Sequence, residues 1–237
     1  MRNLLDVATV QYGDGSWTAG YEVDGLSCGR SIETVDVCAG AATWDPSGDP
    51  AGTGFGIFPF AILGHQKFGE RCAPAEAEAA FRKAMDDASE HTVAHNFWYG
   101  DTPDWDTPPG GQMNDMFLMD DDIDTVVEGA STADTIAAVL SQAFTNHPEL
   151  DPIIHLGIKA AMDMTSSLFT DNFDAEFVVS TGYPIDGVAV TGPILVHLGS
   201  IEILTSHDTS VNRRYLDGTR LAAVEFDPCL AVRATSA

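Results

Sequence analysis

The sequence predicts an α+β fold, and the order of its segments supports this prediction. Segments with a helical period lie in the middle of the chain, whereas segments that alternate as strands do lie toward both ends. This order differs from the alternating βαβ units that build a parallel sheet with helices on both faces. With 237 residues, of which 44% are hydrophobic, the chain can bury a substantial core.

The longest helical pattern covers residues 74–98. Phe81 and Met85 lie on one face of it at helical spacing, and Pro74 suits the first turn, where no backbone N–H is needed. Gly100 offers a stop. At about 1.5 Å per residue this helix would be about 40 Å long, which fits either a core helix or a spine against which a sheet packs.

Residues 1–30 contain three large aromatic side chains, Tyr12, Trp17 and Tyr21, in a segment with little helical or strand period. The segment therefore predicts an irregular arm, which lies either over its own domain or on a neighbouring subunit. Aromatic side chains in such an arm favour docking onto another surface.

Residues 31–69 predict a long two-stranded excursion. Residues 31–37 alternate polar and apolar side chains as a strand does, and residues 44–54 are rich in turn-forming Gly, Pro and Asp. In residues 55–69 the alternation is rough, and Pro59 limits this part to an edge strand or an extended ribbon. Because an isolated hairpin is barely stable, we expect the excursion to lie on this domain or on another copy of the chain.

Residues 101–132 are rich in Asp, Pro and Gly and carry no clear period. Their acidic run, from Asp120 to Asp124, could bind calcium, but it lacks the glycine and the distal glutamate of an EF-hand loop. A solvated loop is therefore the preferred interpretation.

The remaining residues predict two helices and several strands. Ser131 or Thr132 caps the first helix, and Pro148 ends it. Its apolar side is formed by Ile136, Val139, Leu140 and Ala143. The later predicted elements are a strand at 152–157, a helix at about 158–168, strands at 176–180, 187–196 and 199–204, and strand-like segments at 220–226 and 229–233.

The chain is strongly acidic, with a formal net charge of −25 and lysine only at positions 67, 83 and 159. This charge argues against binding nucleic acid through a broad basic surface. A soluble surface is the preferred explanation of this charge, and a high-salt habitat is the alternative. Neither a bilayer-spanning apolar run nor a secretory leader is predicted.

The four cysteines are Cys28, Cys38, Cys72 and Cys229, and they include no CxxC pair. This spacing argues against a structural zinc site and predicts reduced, buried cysteines, although a bridge between Cys28 and Cys38 is sterically conceivable.

No catalytic motif is recognisable in the sequence. GxSxG, HExxH, P-loop and dinucleotide fingerprints are missing. His91 and His95 are four residues apart on the predicted helix and could ligate one metal, but the intervening residues lack the glutamate of a metalloprotease. The sequence therefore predicts no catalytic residue, no cofactor and no metal.

Three segments in the second half of the chain carry a family resemblance. They are PIIHLGIKAAMDM (152–164), FVVSTGYPIDGVAVTGPILVHLGSIEIL (177–204) and TRLAAVEFDPCLAVRA (219–234). In order and local pattern they resemble the central and closing strands of tailed-phage major capsid proteins, the Hong-Kong-97-type capsid fold shared with encapsulins. The GYP turn and the Ala-rich ending with FD are similar to sequences from phages of actinobacteria.

The resemblance implies a domain plan for the whole chain. It assigns 1–30 to an N-terminal arm, 31–69 to an extended loop, 70–130 to a peripheral domain with its spine helix at 74–98, 131–204 to an axial domain with a central sheet, and 205–237 to C-terminal strands that return to the peripheral domain.

The resemblance also implies a function. The chain would be a non-enzymatic major capsid protein that assembles into hexamers and pentamers of an icosahedral virus head. It would be part of the virion, assembled in the host cytoplasm, with scaffold, decoration and portal proteins as partners, packaged DNA contacted only non-specifically, and no membrane. The alternatives are a head-completion, adaptor or tail protein, an encapsulin-like compartment shell, and a metal-dependent hydrolase.

The candidate assembly contacts come from the arm and the loop. They are Tyr12, Trp17, Tyr21, Phe55, Phe58, Phe60 and Lys67.

Some members of the resembled family join a loop lysine to an asparagine of a neighbouring subunit. Here Lys67 and Asn212 would be the pair, with Glu202 or Glu225 as the carboxylate. A plain solvated lysine is the preferred interpretation of Lys67.

Overall fold

The computed structural model describes residues 2–19, 21–24, 54–57, 59–68, 74–100, 117–121, 123–164, 175–208 and 213–235. The helices are α1 Leu4–Val7, α2 Pro74–Tyr99, α3 Thr132–Asn146 and α4 Ile158–Asp163, with 3₁₀ turns at Ser16–Ala19 and Pro228–Leu230. The strands are β1 Thr9–Tyr12, β2 Tyr21–Asp24, β3 Gly54–Ile57, β4 Phe60–Phe68, β5 Asp124–Val127, β6 Ile153–Leu156, β7 Glu176–Val179, β8 Val188–Thr191, β9 Ile194–Leu198, β10 Glu202–Asp208, β11 Arg213–Phe226 and β12 Val232–Thr235. The α+β prediction is confirmed.

The first sheet is built around β11, which is 14 residues long. Its order is β1-β9-β11-β10, and β4 pairs with β11 as well. The β1–β9 pair is parallel, and the other pairs are antiparallel. The strands β4 and β10 both pair with residues 214–219 of β11, so these three strands form a ribbon that continues the sheet.

Helix α2 packs against one face of this ribbon through Phe81 and Met85. The chain has glycine at the two ribbon positions under these side chains, Gly64 and Gly218, which pair with each other across β4 and β11. A side chain at Gly64 would collide with the Met85 sulfur, and one at Gly218 would lie 2.8 Å from the Phe81 ring. Glycine therefore permits the close approach between helix and ribbon.

The second sheet has the order β5-β12-β8-β6-β7. Helix α3 covers it with the predicted apolar side, which packs in one cluster with Ile154, Val190 and Val232. Ser131 caps α3 by accepting a hydrogen bond from the Asp134 N–H, as the sequence predicts. Among the described residues, no helix is both long enough and apolar enough to cross a bilayer.

Three parts of the chain differ from the expectations. The strand expected at 187–196 is interrupted at Gly192–Pro193, and β8 and β9 lie in different sheets because proline has no N–H for a ladder. Residues 4–19, expected to be irregular, contain short elements, of which β1 pairs with β9. The C-terminal strands, expected to return together to one domain, also divide, with β11 in the first sheet and β12 in the second.

Cys229 is disulfide-bonded, so the prediction of reduced cysteines is wrong at this position. The other three cysteines, and with them the conceivable bridge between Cys28 and Cys38, lie outside the described residues. The strand expected at 31–37 lies outside them too.

Candidate assembly surfaces

The aromatic candidates of the N-terminal segment have different surroundings. Tyr12 ends β1 with 75% of its surface exposed, whereas Trp17 is only 7% exposed. The Trp17 indole N–H donates to the Gly13 carbonyl over 3.2 Å, and its ring stacks on His197 with 5.3 Å between centroids. Tyr12 is therefore accessible to a neighbouring copy, whereas Trp17 is already buried by its own chain.

The remaining candidates, Tyr21 of the predicted arm and those of the predicted loop, are spread over two pairs of strands. Tyr21 and Phe55 lie on the paired strands β2 and β3, of which the structure describes the backbone at these positions. Phe60 is 4% exposed and belongs to the core. Lys67 is exposed on β4 opposite Tyr215 of β11. Phe58 lies outside the described residues.

The ribbon of β4, β10 and β11 has one face packed and one face open. The packed face carries Ile62, Phe68 and Leu216, all buried under α2 and its surroundings. The open face carries Leu63 at 68% exposure and Leu204 at 73%. The sequence indicates this second face, because residues 60–63 (FAIL) are apolar at consecutive positions and not only at alternate ones.

The open face also carries a polar cluster. The His65 Nδ1 lies 2.6 Å from the Asp217 Oδ1, and the His65 ring stacks on Tyr215 with 5.4 Å between centroids. The His65 side chain is 62% exposed and the Asp217 side chain is 50% exposed, so the pair adds little to stability. The strand register places this pair on the same face as the exposed leucines.

A second exposed apolar patch lies at one end of the second sheet. It consists of Ile158 and Met162 on α4 and of Ile185 in the turn before β8. The backbone N–H of Lys159 donates to the Ile185 carbonyl over 2.7 Å, which fixes the turn against α4. Three exposed apolar side chains together favour a contact surface over chance exposure.

A buried polar network around His155 joins β6, β8 and the turn between β7 and β8. The Thr191 hydroxyl donates to the Gly192 carbonyl over 2.9 Å, so it accepts from His155 Nε2 at 2.9 Å. His155 Nδ1 is then the acceptor for the Tyr183 hydroxyl at 3.0 Å. Burial lowers the pKa of His155 to about 3, and burial together with the Glu90 carboxylate raises the pKa of Tyr183 well above its ordinary value. Both groups therefore stay neutral.

The turn that carries Tyr183 is anchored to α2. The Ser180 hydroxyl donates to the Glu90 Oε1 over 3.0 Å, and the Gly182 N–H donates to the Ser180 Oγ over 3.1 Å. His91 Nδ1 lies 2.8 Å from the Thr181 hydroxyl, so this histidine holds the turn. The His91 and His95 ring centroids are 6.4 Å apart, and no group of three metal-ligating side chains occurs among the described residues.

Within one copy, Lys67 lies apart from the two carboxylates considered for a crosslink between copies. Glu202 pairs with Thr219, four residues along β11 from the partner of Lys67, which is about 13 Å away along a strand. Glu225 lies 3.9 Å from His197 at the other end of β11. Burial lowers the pKa of His197, and the Glu225 charge opposes this shift. Asn212 lies outside the described residues.

No protein-family model matches the sequence, and no curated protein matches it. Solved structures do match the fold. A virus-like particle from Pyrococcus furiosus has a TM-score of 0.61 at 10% identity, covering 99% of this chain and 92% of its own. The capsid of the native GTA particle has a TM-score of 0.63 at 14% identity, covering 99% and 90%. The capsid of Myoviridae phage XM1 has 0.60 at 12% identity, covering 99% and 91%. This chain therefore has the fold of phage and virus-like-particle capsid shells, the fold that the resemblance in its second half implies.

Proposed function

We propose that this chain is a major capsid protein, which assembles from many copies into an icosahedral virus head around the genome. The observation that carries the proposal is the extent of the structural likeness. It covers 99% of this chain and at least 90% of the shell proteins of the virus-like particle and the GTA capsid. The likeness is therefore to a whole shell subunit and not to one shared domain.

The exposed apolar surfaces support assembly. Leu63, Leu204 and the patch of Ile158, Met162 and Ile185 lie on different parts of the molecule and are open in a single copy. A shell subunit contacts neighbours on several sides, so it needs several such surfaces. We propose that these surfaces, together with the exposed Tyr12 and Lys67, are buried between copies.

The domain plan and the finer partners belong to the same proposal. Residues 70–130, with α2 as the spine, would form the peripheral domain, and 131–204 the axial domain. Sheet membership crosses these bounds, because β5 and β12 lie in the second sheet, whereas β9 and β10 lie in the first. The subunit would act without catalysis, as part of the virion. Scaffold, decoration and portal proteins would be partners during assembly in the host cytoplasm.

The test is the size of the purified protein. We expect particles far larger than a ring of subunits, which elute in the void volume on gel filtration and appear as closed shells by electron microscopy. Six copies of the 25.2 kDa chain amount to about 150 kDa, so a ring is easily distinguished from a shell. Monomers or rings at all protein and salt concentrations would contradict the proposal and favour a head-completion, adaptor or tail protein.

A compartment shell is the second candidate function, because one of the matched structures is a virus-like particle. Both candidates give closed particles, so the contents distinguish them. A virus head isolated from its host system carries nucleic acid, seen as a high ratio of absorbance at 260 nm to that at 280 nm. Particles that contain only protein would favour the compartment.

A further inference from the structure

We propose that two copies of the chain pair through the free edge of β4, as antiparallel strands about a twofold axis. The free edge is the side of β4 that does not face β11. Pairing there joins two ribbons into one sheet of six strands, with the two β4 strands at its centre. This proposal rests on the proposed shell function and deepens it, because it specifies one surface through which neighbouring subunits meet.

The free edge of β4 is long and continuous. Among the described strands, β4 pairs with β11 alone, and the register between them runs without a bulge over all nine residues of β4. In an antiparallel pair, every second residue directs its N–H and C=O away from the neighbouring strand, so β4 presents a row of backbone groups to a further strand. Such an edge accepts a strand from another chain unless proline, charge or a bulge protects it. Pro59 precedes β4, and Lys67 lies near its end.

The composition of β4 suits contact between copies that repel each other. The chain carries a net charge of −25, yet the nine residues FAILGHQKF of β4 include neither aspartate nor glutamate. The part of β11 that opposes β4 has one carboxylate, Asp217, which lies 2.6 Å from the His65 imidazole. The other outer strand of the ribbon, β10, contains Glu202 and Asp208. Two β10 strands would therefore bring carboxylates together, whereas two β4 strands would not.

One register pairs all nine residues of β4 with the same nine residues of the partner. It places Gly64 opposite the partner's Gly64, Leu63 opposite the partner's His65, and Ala61 opposite the partner's Lys67. The two Lys67 side chains then lie about 20 Å apart along the strands, so they do not repel each other strongly. The two Leu63 side chains, each 68% exposed in a single copy, become diagonal neighbours on the open face.

Helix α2 lies at a distance that allows its counterpart to pack beside it. The helix covers both β4 and β11, because a side chain at Gly64 would lie 3.0 Å from the Phe81 ring and one at Gly218 would lie 2.8 Å from it. With neighbouring strands about 4.8 Å apart, the two α2 axes would be about 10 Å apart across the twofold axis. Packed helices are separated by about 8–10 Å, so the two helices would touch without overlap.

The flank of α2 above the free edge carries small side chains. The Arg82 guanidinium donates to the Ile201 carbonyl over 3.0 Å, so the flank with Arg82 lies on the β10 side of the ribbon. At about 100° per residue, Ala84 lies on the opposite flank, in a row with Ala80 and Ala88. All three alanines are exposed in a single copy. This row supports the strand pairing, because it lets the partner's helix approach closely.

Cysteine crosslinking tests the strand pairing. In Ala61→Cys/Lys67→Cys, each new cysteine lies opposite the other one on the partner, about 5 Å away between Cα atoms, which is within the range of a disulfide. Within one copy the two positions lie about 20 Å apart along β4, so no bond can form there. After oxidation with copper phenanthroline, we expect most of this variant to run at twice the mass of the 25.2 kDa chain on a non-reducing denaturing gel.

Two controls define the background of this experiment. The wild type under the same oxidation reports the contribution of the native cysteines. Ala61→Cys/Ser206→Cys is the matched control, with exposed cysteines on β4 and β10 of the same ribbon. It should stay at the mass of one chain, because the pairing brings no β10 next to the partner's β4. A dimer from this control and none from Ala61→Cys/Lys67→Cys would overturn the proposal in favour of pairing between β4 and β10.

Ala84→Glu tests the helix contact independently, because it places a carboxylate between the two α2 helices. We expect the protein concentration needed for particle formation to rise by about tenfold or more, since the twofold axis brings two new carboxylates together. Ala79→Glu is the matched control, with the same substitution at an exposed position of α2 away from the free edge, and it should assemble as the wild type does. Circular dichroism and the unfolding temperature of the unassembled subunit should be the same in both variants.

The outcomes separate this contact from the shell function. The contact is contradicted if folded Ala61→Cys/Lys67→Cys gives no dimer, or if Ala84→Glu assembles like Ala79→Glu. A dimer of Ala61→Cys/Lys67→Cys from a protein that forms no large particles would support the twofold contact and contradict the shell function instead.

Discussion

His155 shows how a single buried residue makes stability depend on pH. Its imidazole is fully buried, with both nitrogens hydrogen-bonded and the Phe97 ring 5.0 Å away between centroids. Burial lowers its pKa from 6.5 to about 3. Between these values the unfolded chain binds a proton that the folded chain does not, so stability is complete above pH 6.5 and falls as the pH decreases toward 3. The slope is about 1.4 kcal/mol per pH unit.

We therefore expect His155→Gln to be less stable than the wild type at pH 7 but less sensitive to acid. Between pH 6.5 and 5.0 the gap between the two proteins should narrow by about 2 kcal/mol, because the variant lacks this titration. Urea unfolding of unassembled subunits at the two pH values measures this difference in the free energy of unfolding. Carboxylates titrate in both proteins, so their contribution cancels in the comparison. If both proteins lost the same amount of stability between pH 6.5 and 5.0, the lowered pKa of His155 would be contradicted.

Arg220 is the residue that ties α2 to β11. Its buried guanidinium donates to Asp86 Oδ1 at 2.8 Å, to Ser89 Oγ at 3.2 Å and to the Gly199 carbonyl at 2.9 Å. We expect Arg220→Met to lower the free energy of unfolding by about 2–3 kcal/mol, since it leaves buried acceptors without a donor. Asp86→Asn should cost less, about 1 kcal/mol, because the Asp86 carboxylate is half exposed. Equal losses in both variants would show that the ion pair, and not the buried hydrogen bonds, matters most.

At the scale of elements, the two faces of the ribbon should respond differently to the same substitution. We expect Leu63→Gln and Leu204→Gln to change the stability of the isolated subunit by less than about 0.5 kcal/mol, because both side chains are exposed. Both should weaken assembly, since the face would be buried between copies. Leu216→Gln, on the packed face of the same ribbon, should cost several kcal/mol of subunit stability.

Thermal unfolding of the subunit and light scattering of the assembly reaction, measured on the same preparations, separate the two effects. Normal assembly of both exposed-face variants would show that this face stays in solvent.

The two long helices, α2 and α3, were predictable from the sequence because their signals are local. The period of α2 and the cap of α3 place both helices within one residue of the structure. The ribbon was not predictable in this way. Residues 213–219 (RRYLDGT) carry little apolar alternation, and they form a strand because β4 and β10 pair with them on both sides. Such partners are distant in sequence, so no local pattern reveals them.

The candidate contacts show the same limit. Trp17 and Phe60 were predicted to be contacts because they are aromatic, yet both are buried by their own chain. The sequence shows which apolar side chains favour burial. It does not show which of them are buried by their own chain. Leu63 and Leu204 are exposed within the subunit. The consecutive apolar residues 60–63 indicate the first of them, but no motif distinguishes Leu204.

At the scale of the whole molecule, charge opposes assembly. Each copy carries −25, and the repulsion grows as copies collect. We expect the extent of assembly to increase as the salt concentration rises from about 0.01 M to about 0.15 M, because the Debye length falls from about 30 Å to about 8 Å. Light scattering at constant protein concentration measures this. Particles that dissociate over this range would show that ion pairs between copies outweigh the overall repulsion.

The path of the chain between its two sheets has a mechanical consequence. Besides the connection through α2, the chain passes from one sheet to the other at Gly192–Pro193 and again at Asp227–Pro228. A side chain on Gly192 would lie 2.8 Å from Leu230, so these two crossings are neighbours. Two adjacent crossings resist twisting of one sheet against the other, because twisting would stretch one of them. They offer less resistance to bending of the sheets about the line that joins the crossings. Bending about that line is opposed by α2, because the helix packs on the ribbon at Phe81 and Met85 and accepts a hydrogen bond from Ser180 at Glu90. Copies at fivefold and sixfold positions should therefore keep nearly the same angle between their two sheets.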